Sequence, residues 1–221
     1  MEKSTDWTKY YSKKKSVFSN FAQRFTLSKI LSDYDTLSQF MENRDVIELG
    51  GGNSCFAESL CRQRKLWSYD IIDNNELAVT LFQKKKLGCL SHNGIIMDLT
   101  EGFQPSKKYD LVYSIGLIEH FKPKERERVI QAHFSLCRKG GGVLISFPTP
   151  TLKYRFWRKV LEVMHLWQFY DEMPLQYGDV ENILTECGKV VKVEINRKLF
   201  LTQMIVLFIN KGKNENESET S

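Results

Sequence analysis

From residue 45 onward the sequence alternates between short, β-rich apolar runs and stretches of helical periodicity, and this alternation constrains the fold more than any other feature. Val46-Ile47-Glu48-Leu49 reads as a buried strand running into three glycines, with a helix over 54–65 capped by Ser54. Further strands are expected over 67–72, 95–97, 109–115 and 142–147, with helices over 76–87 and 123–138 between them. A helix over 180–187, stopped by Gly188, precedes two last strands over 190–195 and 203–209. Their short link predicts antiparallel pairing. Strands alternating with helices give an α/β, doubly wound, mostly parallel sheet with helices on both faces.

With 221 residues, 42% of them hydrophobic, the chain can bury one full core. We read 45–210 as that domain, 1–44 as an N-terminal helical segment serving as a lid, and 148–177 as an inserted lid over the acceptor. The polar stretch 211–221 is expected to be disordered. Five cysteines, an odd number without a C-x-x-C pair, argue against a disulfide framework or thiolate metal site and fit a reducing cytosol. A cytoplasmic location is therefore expected. His92, His133 and His165 lack ligand spacing, and no metal is expected. The longest apolar run, 199–209, is too short for a membrane span of about 20 residues. The net charge of +5 resides in residues 1–30, leaving 25 basic and 25 acidic groups elsewhere. That balance speaks against a nucleic-acid groove.

The chemistry starts at Glu48-Leu49-Gly50-Gly51-Gly52-Asn53-Ser54. A glycine turn after a buried strand lets the backbone approach a nucleotide-like ligand. Glu48 would repel a pyrophosphate and suits a cationic ligand. The dinucleotide pattern G-x-G-x-x-G also fails, because Cys55 stands where its third glycine belongs. This stretch resembles motif I of the class I S-adenosylmethionine-dependent methyltransferases, an acidic residue followed by x-G-x-G-x-G, with Ser54 in place of the last glycine.

Other segments extend the resemblance over about 45–210. The second strand ends Tyr69-Asp70-Ile71-Ile72-Asp73-Asn74-Asn75, and an acid there can accept bonds from both ribose hydroxyls. Asp73 is preferred for that role and Asp70 stays open. The third strand ends Met97-Asp98-Leu99, and Tyr109-Asp110-Leu111-Val112-Tyr113-Ser114 followed by Glu119-His120 is similar to the aromatic-D-L-V-x-S…E-H signature of the small-molecule branch. Lys139-Gly140-Gly141-Gly142 resembles L-K-P-G-G without its proline.

The resemblance implies a Rossmann-like seven-stranded sheet ordered 3-2-1-4-5-7-6 with the last strand antiparallel. It implies S-adenosyl-L-methionine as cofactor, left as S-adenosyl-L-homocysteine after in-line displacement. Glu48 would meet the methionyl ammonium and Gly50, Gly51 and Gly52 would make room for the nucleoside. Asp98 and Leu99 would hold the adenine, while Ser114, Ile115 and Gly116 would line the methionine arm.

His120 has the intrinsic pKa of a general base, with Glu119 beside it, yet both can equally fix the loop after the strand. Tyr10 and Tyr11 are lid residues or simple packing aromatics. Within 148–177, Leu152, Phe156, Val160, Val163, Met164 and Trp167 follow helical spacing among Lys153, Arg155, Arg158 and Lys159. Such a helix closes as a lid with its apolar face on the domain, or lies on an anionic membrane surface. The expected acceptor is a small or lipid- or glycan-linked molecule. The rival readings are a nicotinamide-dependent oxidoreductase and an RNA methyltransferase using the basic N-terminus.

Overall fold

The computed structural model describes residues 5–12, 17–102 and 105–212, so most of the expected disordered tail and Lys13–Lys15 lie outside the described residues. Two helices, α1 (Trp7–Ser12) and α2 (Val17–Ser38), precede the first strand. Then follow β1 (Asp45–Leu49), α3 (Ala57–Arg64), β2 (Ser68–Asp73), α4 (Glu76–Gln83), β3 (Ser91–Ile96) and β4 (Tyr109–Ile115). The chain continues through α5 (Pro123–Leu136), β5 (Cys137–Pro148), α6 (Leu152–Val163), α7 (Glu181–Cys187), β6 (Gly188–Asn196) and β7 (Gln203–Asn210).

The seven strands form one sheet in the order β3-β2-β1-β4-β5-β7-β6. Strands β1 to β5 run parallel, and β7 is antiparallel to both its neighbours. The winding reverses between β1 and β4, and ligands of open α/β sheets bind outside the carboxyl ends at such a point. Side chains alternate across the sheet. Val46, Tyr69, Ile71 and Tyr113 pack towards α2 and α3, whereas Ile47, Leu49, Ile72 and Val112 pack towards α5 and α7.

Several boundaries differ from the sequence expectation for identifiable reasons. β3 begins at Ser91 rather than residue 95, because an edge strand tolerates the polar Ser91-His92-Asn93. β5 opens at Cys137 rather than residue 142, taking in Gly140 and Gly141 and the end of the helix expected to reach 138. The helix after the glycine turn starts at Ala57, and Ser54 Oγ accepts the Ala57 N–H at 3.2 Å from the turn before it. Gly188 does not stop α7 through a left-handed conformation; its backbone is extended (φ −139°). It is glycine because a Cβ there would collide with the Phe134 ring.

Candidate functional site

The carboxyl end of β1 turns sharply through Gly50 (φ +63°) and Gly52 (φ +49°), a left-handed backbone that a side chain would strain. Bare backbone also serves close approach. A Cβ on Gly52 would strike the Tyr11 hydroxyl, and one on Gly50 would strike Leu117 from the loop after β4. Asp73, the last residue of β2, closes the turn: its Oδ2 accepts the Gly52 N–H at 2.8 Å and its Oδ1 the Asn75 N–H at 2.8 Å. The Asn74 N–H also bonds the carboxylate, which keeps acceptor capacity to spare. Burial raises the Asp73 pKa against the lowering effect of these bonds.

Glu48 lies beneath the turn and is buried. Its Oε2 accepts from the Tyr69 hydroxyl at 2.6 Å, and Tyr69 also bonds the hydroxyls of Ser54 (3.0 Å) and Tyr113. Burial pushes the Glu48 carboxyl up, with the hydrogen bonds and the more distant Lys85 only partly offsetting it. The partner that burial demands is thus supplied in part by tyrosines, which bring hydrogen bonds but no charge.

Past β4, a 3-10 turn over Ile118–His120 carries the Glu119-His120 pair. His120 Nδ1 lies 3.1 Å from Asp171 Oδ1, and its Nε2 lies 3.9 Å from Glu119 Oε1. An ionised carboxylate only accepts, so with Asp171 ionised Nδ1 carries the proton and Nε2 presents its lone pair. Burial lowers the His120 pKa, against the pull of Asp171. Glu119 is buried with Oε2 unbonded, and burial drives its pKa well up. Its carbonyl accepts the Met173 N–H at 3.0 Å, tying this turn to the segment that carries Asp171.

Aromatic rings join the two halves. Tyr11 stacks on Trp7 (centroids 6.2 Å apart), and Trp7 meets His120 edge-on at 5.1 Å. Phe169 packs against Trp7, Tyr10 and His120. Helix α1 is pinned at Thr8, which accepts from Asn75 Nδ2 at 3.0 Å, and the preceding Thr5 bonds Asp171.

The fold therefore gathers Glu48, Gly50, Gly51, Gly52, Asp73, Tyr11, Ile115, Gly116, Glu119 and His120 along one edge. It sets Asp70 and the Ser114 side chain apart from them. Asp70 faces the α5 side further back along β2, where its Oδ2 takes Lys107 Nζ at 3.0 Å and the Tyr109 hydroxyl at 2.8 Å. The Ser114 hydroxyl is buried against His133 Nε2 at 2.8 Å, so this side chain does not line the edge. Asp98 follows the carboxyl end of β3, where the Met97 N–H bonds the Asp73 carbonyl at 3.1 Å; its exposed side chain accepts from the Thr100 N–H and hydroxyl, and Leu99 is buried in the core. Asp171 escaped the sequence reading because 51 residues separate it from His120 and no motif surrounds it.

Among the described residues no group of three or more His, Cys, Asp or Glu side chains could hold a metal ion, and no helix is long and apolar enough to cross a membrane.

A family described as a methyltransferase domain matches residues 21–183. The malonyl-[acyl-carrier protein] O-methyltransferase 2 of Ilyobacter polytropus is 23% identical over 167 residues, covering 74% of this chain and 63% of its own length. The chain thus spans less than two thirds of that curated relative. Among solved structures, the magnesium protoporphyrin IX methyltransferase (ChlM) of Synechocystis PCC 6803 with bound SAH has a TM-score of 0.70 at 16% identity, covering 92% of each chain. The N-methyltransferase NodS of Bradyrhizobium japonicum WM9 in complex with S-adenosyl-L-homocysteine has a TM-score of 0.62 at 14% identity, covering 88% of each.

Proposed function

The chain belongs to the methyltransferase-domain family, and on that premise we propose that it transfers a methyl group from S-adenosylmethionine to a small or lipid-linked acceptor. The observation that carries this reading is the Gly50–Gly52 turn, bounded by Glu48 and Asp73 and joined through aromatic rings to the His120–Asp171 pair.

The residues present fit a nucleoside with a cationic arm. The bare glycine turn already receives a flat ring, that of Tyr11. Asp73 keeps acceptor capacity for the ribose hydroxyls, and Glu48 offers negative charge for the methionyl ammonium. Gly116 and Ile115 border the arm with backbone groups. The cofactor, when bound, supplies a sulfonium methyl already activated for displacement. Trp7 and Tyr11 set aromatic rings beside the turn, and such rings attract cations. The Tyr11 ring lies on Gly52, so α1 would have to move outward to admit the nucleoside and would then cover it, excluding water.

His120 takes the acceptor's proton at Nε2 as the acceptor's lone pair attacks in line, and Asp171 steadies the imidazolium that forms. Alignment of this kind can lower a barrier by about 7–11 kcal/mol, and a positioned base contributes about 10²–10⁴-fold. The three relatives named differ in acceptor, and the acceptor of this chain is written in 148–177 rather than in the glycine turn.

Calorimetric titration with S-adenosylmethionine, S-adenosylhomocysteine and NAD(H), then a labelled-methyl screen over metabolite extracts, tests the reading. The first two ligands are expected to bind and NAD(H) not to. Binding of NAD(H) alone overturns it in favour of hydride-transfer chemistry.

A further inference from the structure

Helix α6 is amphipathic the wrong way round for a simple lid. At about 100° per residue, Leu152, Phe156 and Val163 fall within about 40° of one another on its surface. The expected lid buries this stripe; the structure turns it outward, with Leu152 85%, Phe156 63% and Val163 67% exposed. Met164 and Leu166 prolong the exposed stripe past the end of the helix.

The opposite face holds the helix to the domain. Tyr154 is buried and bonds Glu172, while Arg158 lies 4.8 Å above the buried Trp167 ring and bonds Tyr154 and the Glu172 carbonyl. Trp157 packs edge-on against Phe200 at 4.8 Å. These anchors fix the roll of the helix, so the stripe cannot rotate inward without breaking them.

Cations border the stripe. Arg155 and Lys159 line one side and Lys153 the other, where its Nζ bonds the Arg197 carbonyl at 2.8 Å. Arg197, Lys198 and the half-exposed Phe200 continue the surface on the β6–β7 connection. The acid on α6, Glu162, is paired with Arg158 at 3.0 Å and reaches Lys159 at 4.0 Å, so Lys153 and Arg155 and most of the Lys159 charge remain for the surface. This excess stands out in a chain whose residues beyond 30 carry equal numbers of basic and acidic groups.

We propose that α6 docks the protein on an anionic phospholipid bilayer, its apolar stripe in the interface and its Lys and Arg side chains on the headgroups. The stripe is a convex ridge of protruding side chains rather than a groove, and long cationic side chains at its borders reach the phosphates around it. Each cation near such a surface contributes about fivefold to partitioning. The same segment continues through Phe169 to Asp171, so docking sets the mouth of the proposed site beside the lipid.

The test is co-sedimentation of the full chain with vesicles of phosphatidylcholine alone or with 30% phosphatidylglycerol. Binding to the anionic vesicles is expected, weakened at high salt. Phe156→Ser/Val163→Ser should abolish it, and Arg155→Glu/Lys159→Glu should reduce it more than tenfold. All four positions point to solvent, and cofactor titration of each variant checks folding and the methyl-transfer reading separately. Overturning results are no binding to anionic vesicles, or binding unaffected by both double variants, which would assign it to the basic N-terminal segment. A concentration-dependent dimer lost in Phe156→Ser/Val163→Ser, or binding to a purified acidic carrier protein in preference to vesicles, would equally overturn it.

Discussion

The two ends of the central strands bury acidic side chains in opposite electrical circumstances. At the amino ends, Arg138 meets Asp110 at 2.6 Å and Asp45 at 3.0 Å, and Lys107 meets Asp70 at 3.0 Å. At the carboxyl ends, no Lys or Arg nitrogen among the described residues lies within 4 Å of Glu48, Asp73 or Glu119, and burial raises all three pKa values. An unmatched buried charge is costly, by several kcal/mol once relaxation is counted. Cation-paired acids at one end hold the sheet together; at the other, Lys85 and Arg126 act on Glu48 and Glu119 only from a distance, and under the proposed function a ligand would bring the missing charge and donors.

The largest effect should come from breaking the paired end. Asp110→Ala leaves Arg138 with Asp45 alone and orphans the N–H groups of Asn43 and Asp45, which the carboxylate accepts at 3.2 and 3.0 Å. A loss of about 3–5 kcal/mol in urea unfolding is expected. A loss under about 1 kcal/mol would erase the distinction between the ends.

Asp171→Asn should lower kcat about 10²-fold while leaving cofactor affinity unchanged. Asp171 raises the His120 pKa against burial, so its loss moves the acid limb of the kcat profile to lower pH. An unmoved limb would reduce Asp171 to a brace for the loop.

Asp73→Ala should weaken cofactor binding by roughly 1.5–3 kcal/mol with a modest change in stability. Asp70→Ala should do the reverse, because its partners are Lys107 and Tyr109. Isothermal calorimetry beside denaturation curves separates the two, and exchanged outcomes would swap the roles of the two ends.

A smaller effect concerns pH. Burial lifts the Glu172 carboxyl from 4.5 to about 7 in spite of Tyr154 and Arg158. The unfolded chain gives up this proton first, so stability falls as pH rises from about 4.5 through 7. Glu172→Gln should flatten that decline by about 2 kcal/mol, measured as unfolding free energy at pH 5 and pH 7.5. An unchanged slope would show that Glu172 ionises alike in both states.

The alternation of strands and helices, the antiparallel last pair and the glycine turn were legible because they follow from periodicity, a short link and where glycine is needed, whereas the strand order came only from the family resemblance. The site was legible only to within a strand's pleat. Asp70 and Asp73 differ by three residues, which spacing cannot rank, but an odd separation puts them on opposite faces and about 10 Å apart along β2. The same alternation turns the Ser114 side chain towards His133. For α6, periodicity located the apolar stripe but carried no sign for inward or outward. That sign is set by Tyr154, Arg158 and Trp167, whose anchors lie elsewhere in the chain. Asp171 reaches His120 only through the folded return of its segment.

Glu48 distinguishes the two ends most sharply, since Tyr69 gives it a hydrogen bond at 2.6 Å but no charge. Calorimetric titration of S-adenosylmethionine and of adenosine into the native protein and Glu48→Gln isolates what that charge does. Folding should survive, affinity for S-adenosylmethionine should fall about tenfold, which is about 1.4 kcal/mol, and affinity for adenosine, which lacks the ammonium, should stay unchanged. Equal losses for both ligands, or none for either, would contradict the account and leave Glu48 as a support beneath the glycine turn.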